Sequence, residues 1–448
     1  MAKISTLPPG PSGYWLLGSL HDFRRDMLAF FTKNSLQYQD IWSMHLGMAA
    51  HVVVNHPDLI HQVLVSDNNS YGPAYFNNFL RFPLGNGLLT NDGKSWLRQR
   101  RLIQPMFQKQ RLGNYTNTAA KITERFLDSW QEGECRNVHN DMMHVTMQIM
   151  SQVLFGMDLS DEAEIVEQAC LTILADFKFR LETKIDLPYW LPTPWNWKLH
   201  RDRSRLHELI DRIIADRRNH PGQQDDLLTR LLAAHSVEDP SGMSGEQIRD
   251  ELITMLVAGH ETTANTITWT LFLLAKHEEV QEQVVDEIQS VVRGEIPSAD
   301  ELQQLTWTEQ VLMEAMRLYP AAYTIGRTAR HEVALGGFRL PARCVILMSQ
   351  WATHRDPRFF DNPNEFLPQR WRNGPRGLPD RAFFPFGAGP RRCIGQHFAG
   401  MESMIVLATL FRRYRLVLSG NKAVLPWPSI TLRPKYGLHV GVQVRQQK

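Results

Sequence analysis

Ser244-Gly245-Glu246-Gln247 has the Ser-x-x-Gln form of a capping box, in which two side chains satisfy backbone N–H groups that a helix start leaves free. The helical pattern then runs to about Lys276. At 1.5 Å rise per residue, about 32 residues make a rod of about 48 Å, long enough to cross a whole domain. Between Thr262 and Ala275 the rod carries no charge. That stretch of about 14 residues falls short of the roughly 20 that a bilayer requires. Glu251, His260 and Glu261 stand on its N-terminal side, so the segment is expected to be a buried core helix that presents its middle to something held inside the protein.

The rest of the chain can enclose such a rod. Of the 448 residues, 43% are hydrophobic and 21% charged, the balance of an ordinary globular protein with a large core. A formal net charge of +2 gives no global attraction to nucleic acid or anionic membrane, so electrostatic docking must be local. Without repeats, low-complexity tracts or a long linker, the expectation is one domain over 1–448. It is mainly α with a small β region: β-rich parts lie at about 36–60 and 321–352, and a helical core at about 91–320 and 393–415. Strand-like runs occupy 40–46, 51–55, 324–328 and 344–349. Helical pattern continues through 277–292 and 307–319, where Pro320 stops it. Loops are expected at 221–225 and 237–245, and 356–390 is rich in Pro, Gly and Arg with little periodicity. So long an irregular segment inside a compact domain usually has a function.

That segment leads into Phe386-Gly387-Ala388-Gly389-Pro390-Arg391-Arg392-Cys393-Ile394-Gly395. Cys135, Cys170, Cys344 and Cys393 are too few and too scattered for a disulfide framework or a zinc cluster, which fits a reducing compartment. Cys393 differs from the others in sitting where a glycine-rich loop enters an apolar helix. Free N–H groups at a helix start and the adjacent arginines favour the thiolate and make it a strong metal ligand. Gly387, Gly389 and Gly395 leave room for something large and flat, which suggests haem iron held by a cysteine.

The pattern Phe-Gly-x-Gly-x-Arg-x-Cys-x-Gly resembles the haem-ligand loop of the cytochrome P450 family. The likeness extends in family order along nearly the whole chain, from the proline-rich Leu7-Pro8-Pro9-Gly10-Pro11 onward. It implies the P450 fold, with haem b between the long helix and the helix after the cysteine loop and Cys393 as axial ligand. Ala258-Gly259-His260-Glu261-Thr262-Thr263, in the middle of the long helix, resembles the family's oxygen-activation motif. A glycine there costs about 1 kcal/mol relative to alanine, which close approach of a ligand would offset. By that resemblance Thr262 steadies the oxygen and Glu261 relays protons through water, while His260 is structural. Trp96 and Arg100, four apart on one helix face, match the family's Trp-x-x-x-Arg element, and with Arg391 and Arg327 they are implied to hold the haem propionates. Gly259, Phe386, Gly387 and Gly395 complete the implied cofactor contacts.

Glu314 and Arg317 share a helix face, and Arg370 lies in Phe-x-Pro-x-Arg, with Gln369 where the family commonly has glutamate. The three are implied to be scaffolding that fixes the cysteine loop. The substrate side is expected to be apolar, from Phe76, Phe79, Phe82, Leu89, Phe177, Leu256, Val257, Ala258, Ala322 and Tyr323. Trp190 to Trp197 either touches a membrane, lines an entrance or packs on the body. No flavin or iron–sulfur signature is appended, so electrons are expected from a ferredoxin or flavodoxin with its NAD(P)H reductase. A basic face of Arg98, Arg101, Lys109, Arg111, Arg376, Arg381 and Arg392 would steer that partner in.

The sequence reading is thus a haem-thiolate monooxygenase that hydroxylates or epoxidises an apolar substrate, such as a fatty acid or terpenoid, with O2. Two rivals use the same fold: a peroxygenase or lipid-peroxide isomerase or dehydratase, and a non-enzymatic haem sensor. No secretory signal and no transmembrane anchor are recognised, so a soluble cytoplasmic protein is expected.

Overall fold

The computed structural model describes residues 7–183, 187–221, 226–233, 243–294, 296–374, 381–420 and 423–445, with the backbone alone at 109–112 and 114. The long helix runs from Gly245 to Lys276. Its capping box closes in both directions: Gln247 N–H donates to Ser244 Oγ at 3.2 Å, and Ser244 N–H donates to Gln247 Oε1 at 3.1 Å. Ile267, Trp269, Leu271 and Leu274 are fully buried, as are Asn265, Thr268 and Thr270. Such a rod is enclosed over its second half until its last turn, and Thr266, Thr268 and Thr270 satisfy their hydroxyls on carbonyls four residues back. Among the described residues no helix is long and apolar enough to cross a membrane.

Val138–Phe155, Thr306–Leu318 and Gln396–Arg413 pack against the rod, the last being the helix that leaves the cysteine loop. The expected strands all form and join one five-stranded sheet, in the order Ile41–Leu46, Ala49–Val54, Val345–Met348, Ile325–Ala329, Tyr71–Pro73. Ala49–Val54 and Val345–Met348 pair in parallel, with Val52 opposite Ile346; the other pairs are antiparallel. This register places Arg327 opposite Ile346 and Pro73, one strand in from the sheet edge.

The expected partition underestimated the β content. A second sheet joins Cys135–Asn137, His439–Val444 and Tyr414–Leu418, and a small hairpin lies at 426–434, whereas the hairpin at 333–340 falls inside the β-rich part expected at 321–352. Most of these strands have three residues, too few for alternation to register. Helices at Leu20–Arg25, Met27–Tyr38 and Asn78–Leu84 also precede the expected helical core. The loops expected at 221–225 and 237–245 fall largely outside the described residues.

The irregular 356–374 stretch is anchored through one carboxylate. Glu314 is fully buried and accepts from Arg317 Nε at 2.9 Å and Nη2 at 2.8 Å, and from Arg370 Nε at 3.0 Å. It also accepts from the Leu367 N–H at 3.0 Å and the Trp371 indole at 2.8 Å. Arg317 spends its remaining donors on the carbonyls of His354, Pro363 and Glu365, at 2.7, 2.6 and 3.0 Å. A charge pair this deep is tolerable because each lone pair and N–H has a partner. Burial alone raises the Glu314 carboxyl, but Arg317 and then Arg370 outweigh it and hold it below the usual carboxylate range.

A carboxyl depressed in this way stabilises the fold above its unfolded pKa, and the contribution is lost as pH falls through the folded value. Glu314→Ala strands two buried guanidinium groups and should destabilise the protein by about 3–5 kcal/mol in urea denaturation. The difference from wild type should shrink as the pH is lowered into the acid range.

Candidate active site

In the cysteine loop, Gly387 N–H donates to Phe384 O at 2.9 Å, Arg392 N–H to Gly389 O at 3.0 Å, and Cys393 N–H to Phe386 O at 2.9 Å. These turns bring the chain back on itself and point the thiol at the rod. Gly387 and Gly389 have φ of +69° and +70°, a region that disfavours side chains. Gly389 has a second reason: a Cβ there would lie 1.9 Å from Leu64 O. Its smallness therefore serves packing against the turn at 62–66, not the approach of a ligand, whereas Gly387 and Gly395 line the cavity beside Cys393.

Cys393 lies deep among neighbours, yet its side chain is exposed, because the surface it exposes is cavity wall. Burial pushes the thiol up from its ordinary value, and the Gly395 N–H, Arg100 and Arg392 offset that only in part. The sequence expectation that the N–H groups and arginines would lower the pKa has the right signs for each group, but desolvation exceeds them. A thiolate here needs a further positive charge, which a bound metal centre supplies.

The cavity holds about 370 Å³. Cys393, Phe386, Gly387, Gly395, Ala399 and Gly400 form one side, and Ala258, Gly259, Thr262, Thr263 and Thr266 of the rod the other. Small residues on both faces leave a slot between two helices. Arg327 and Arg391 line it as well. Arg327 donates to the neighbouring Gly326 carbonyl at 2.9 Å, and no carboxylate pairs with it among the described residues. Burial and then Arg391 push its guanidinium down to about 10. A slot with a thiol in one wall and an unpaired buried cation at its edge fits haem, whose iron takes a thiolate and whose propionates need cations.

Trp96 carries Arg391 over its ring at 4.2 Å and Arg100 at 5.9 Å, so the expected propionate contacts come together although Trp96 and Arg100 stand behind the cavity wall. Sequence reasoning missed Asp92. It accepts from Arg391 Nη2 at 2.6 Å and from Arg330, and thus clamps the arginine it would share with a propionate. The Asp-Gly start of the Trp96 helix was the available signal.

Above the slot lies a second cavity of about 320 Å³, sharing Leu89, Ala258, Thr262, Ala322, Ile325 and Arg327 with the first. Phe76, Phe177, Val257 and Tyr323 line it as expected. Leu256, Phe79 and Phe82 do not. Leu256 is fully buried in the core one helical step from Val257, Phe79 meets Tyr75 edge-on, and Phe82 stacks on Tyr189 with centroids 4.1 Å apart. The cavity face before the Trp96 helix follows i, i+4 spacing through Phe76, Leu80 and Leu84, so Phe79 and Phe82, three and six positions after Phe76, turn away. Phe23, Met27, Phe31, Leu46 and Ile430 were not foreseen as lining residues.

Glu261 and Thr262 both reach this cavity. Burial raises the Glu261 carboxyl, against the opposing hydrogen bond from Thr431 at 2.5 Å and the charge of Arg433. Thr262 Oγ1 donates to Ala258 O at 2.8 Å, leaving its lone pairs toward the cavities. His260 is buried with Nδ1 2.5 Å from Leu256 O, away from both cavities. Of the expected basic face, Arg101 and Arg392 are exposed, Arg98 donates to Gln247 Oε1 at 3.1 Å, and Arg381 pairs with Asp58 at 3.3 Å. The Lys109 and Arg111 side chains and Arg376 lie outside the described residues. Trp190 and Trp197 are exposed, while the Trp195 indole donates to Asp176 at 2.8 Å.

Gly259 lines the slot, but a Cβ on it would lie 2.3 Å from Met150 Cε. A side chain at 259 therefore needs the Met150 methyl, the free end of a flexible side chain that also borders the cavity, to move aside. Gly259→Ala should carry a small overpacking penalty, about 1 kcal/mol or less, set against the helix propensity gained. Combined with Met150→Ala the penalty should vanish, and a double-mutant cycle by denaturant unfolding checks that coupling.

The Cytochrome P450 family profile matches residues 8–439. The chain is 33% identical over 414 residues to "Cyclooctat-9-en-7-ol 5-monooxygenase" of Streptomyces melanosporofaciens, covering 92% of this chain and 90% of that one. It is 32% identical over 427 residues to "Pentalenene oxygenase" of Streptomyces avermitilis, covering 93% and 92%. It is 31% identical over 443 residues to a "Cytokinin hydroxylase" of Arabidopsis thaliana, covering 94% and 84%. A thiol-walled slot on a 32-residue rod, matched over nearly the full length to monooxygenases, identifies the chain as a member of the cytochrome P450 family, whose cofactor is haem held by a cysteine thiolate.

Proposed function

We propose that this P450 monooxygenase oxygenates a compact terpenoid that is hydrocarbon over most of its surface, with Cys393 as the iron ligand. The enzyme class follows from the family and its relatives: one atom of O2 enters the substrate and the other leaves as water, with electrons from a redox partner. The observation that carries the substrate reading is the cavity above the slot. Its walls are Phe76, Leu80, Leu84, Phe177, Leu181 and Val257, and among the described residues the only Lys or Arg lining it is Arg327, which belongs to the slot edge. A fatty acid would leave its carboxylate without a cation of its own, at a desolvation cost that a terpene avoids. Two of the relatives act on terpenoids by their names, which supports the same reading.

Arg327, Arg391 and Arg100, the last two braced on Trp96, would hold the propionates, with Phe386, Gly387, Gly395 and Gly259 against the ring. When bound, haem supplies the iron centre at which electrons and dioxygen meet. The chain's residues handle the protons. Burial keeps a proton on Glu261 to higher pH than a surface carboxyl would, so it stores an acid beside the cavity. Thr262, one residue on and in the shared wall, turns its hydroxyl from Ala258 O toward the reacting oxygen. This acid and hydroxyl pair favours the monooxygenase over the peroxygenase and isomerase readings, which need no proton supply, and over a sensor. A ferredoxin or flavodoxin is the electron donor, docking near the exposed Arg101 and Arg392.

Cys393→Ser should abolish the red-shifted absorption of the reduced carbon monoxide form. Terpene hydrocarbons and mono-alcohols of 15 to 20 carbons should displace the iron-bound water, read from the haem spectrum, and fatty acids should do so far more weakly. Equal response to both classes overturns the substrate reading. Thr262→Ala should divert most reducing equivalents to peroxide while leaving ligand affinity within a few fold.

A further inference from the structure

A string of hydrogen bonds runs from a half-buried histidine to the buried acid of the pocket. Thr431 Oγ1 lies 2.5 Å from Glu261 Oε1, Asn265 Nδ2 donates to Thr431 Oγ1 at 3.2 Å, and His139 Nε2 lies 3.1 Å from Asn265 Oδ1. The four residues come from three parts of the fold: the start of the Val138–Phe155 helix, the rod, and the tip of the 426–434 hairpin. Glu261 and Asn265 are one turn apart on the rod, so one rod face carries both the acid and its support.

We propose that His139, Asn265 and Thr431 are positioning residues for Glu261: they fix one carboxyl oxygen on the Thr431 hydroxyl and leave the other to exchange protons with the cavity. The proposal rests on the reading of Glu261 as the proton-handling acid. The polarity of the string follows from its end. An ionised carboxylate only accepts, so Thr431 donates to it; the lone pairs of Thr431 then take the Asn265 amide N–H; the Asn265 carbonyl therefore faces His139, which must carry its proton on Nε2. Burial, followed by the charge of Arg433 and against the Asn265 bond, pushes His139 down to about 4, so at neutral pH the ring is uncharged and has one N–H to give. All three bonds then point the same way, toward the carboxylate.

Such a string orients but does not conduct. A proton cannot hop through Asn265 unless its amide isomerises, so Glu261 is reloaded from the cavity side, not through His139. Its effect is electrostatic: the Thr431 hydroxyl stabilises the ionised form and partly offsets the burial that raises the Glu261 carboxyl. The other titratable groups around Glu261 are Arg433 on the same hairpin, Cys170 on the Ala163–Thr183 helix, whose own thiol burial pushes up, and His260 beside it, which burial keeps neutral. Of these only Arg433 adds charge that favours the carboxylate.

The test is an infrared pH titration of the holoenzyme, following the protonated carboxyl stretch that Glu261→Gln removes. Thr431→Val should raise the Glu261 midpoint by about one pH unit, a tenfold gain in proton affinity, because a hydrogen bond to the charged form is lost. Thr431→Ser should restore it. Asn265→Ala and His139→Phe should move it the same way by less, and Asn265→Ala serves if Thr431→Val does not fold. A Glu261 midpoint unchanged in these variants overturns the inference. A midpoint that moves as stated, with coupling of electrons to product unchanged in Glu261→Gln, leaves the positioning intact and instead removes Glu261 from the catalytic role proposed above.

Discussion

Burial of most of the Gly245–Lys276 rod is the constraint from which the site follows. A helix satisfies its own backbone, so it is the one element that can cross the middle of a protein without partners for its N–H and C=O groups. Once it does, any polar side chain on its middle turns must be satisfied locally or by whatever packs there. Thr262, Thr266 and Thr268 meet that demand by bonding back four residues, His260 by bonding Leu256 O, and Glu261 and Asn265 by reaching to the 426–434 hairpin. Chemistry then sits where the rod is polar and its neighbours leave a gap.

The gap exists because small residues on the rod and on the cysteine loop and its helix leave the space between them unfilled over one stretch. Gly259 takes Met150 on one side, and the turn through Gly387 and Gly389 lets the cysteine loop lie against the 62–66 turn. The loop in turn hangs from a segment that has little secondary structure and is pinned by Glu314. Glu314 and Arg317 form a buried ion pair whose donors and acceptors are all in use.

Much of this was legible in local sequence. The capping box, the Pro320 stop, the Glu-x-x-Arg pair and the cysteine loop all depend on residues within a few positions of one another, and each took the form expected. The pocket wall was not. Phe79 and Phe82 share composition with Phe76 but not its helical face, and Leu256 is one step of 100° from Val257. Asp92, which clamps Arg391 from 299 positions away, and Thr431, which bonds Glu261 from 170 away, had no periodic signal to find.

The sequence by itself determined the rod, the glycine-rich loop that carries the Cys393 thiol and the acid and hydroxyl on the rod, because helix capping, turn glycines and i, i+4 spacing are properties of short stretches. Only the tertiary structure decided the balance of charge around those groups. Desolvation at Cys393 exceeds the arginines meant to favour its thiolate, Arg327 forms no ion pair among the described residues, and Glu261 is tied to the hairpin tip. Burial and long-range pairing set these energies, and both arise from packing distant segments together.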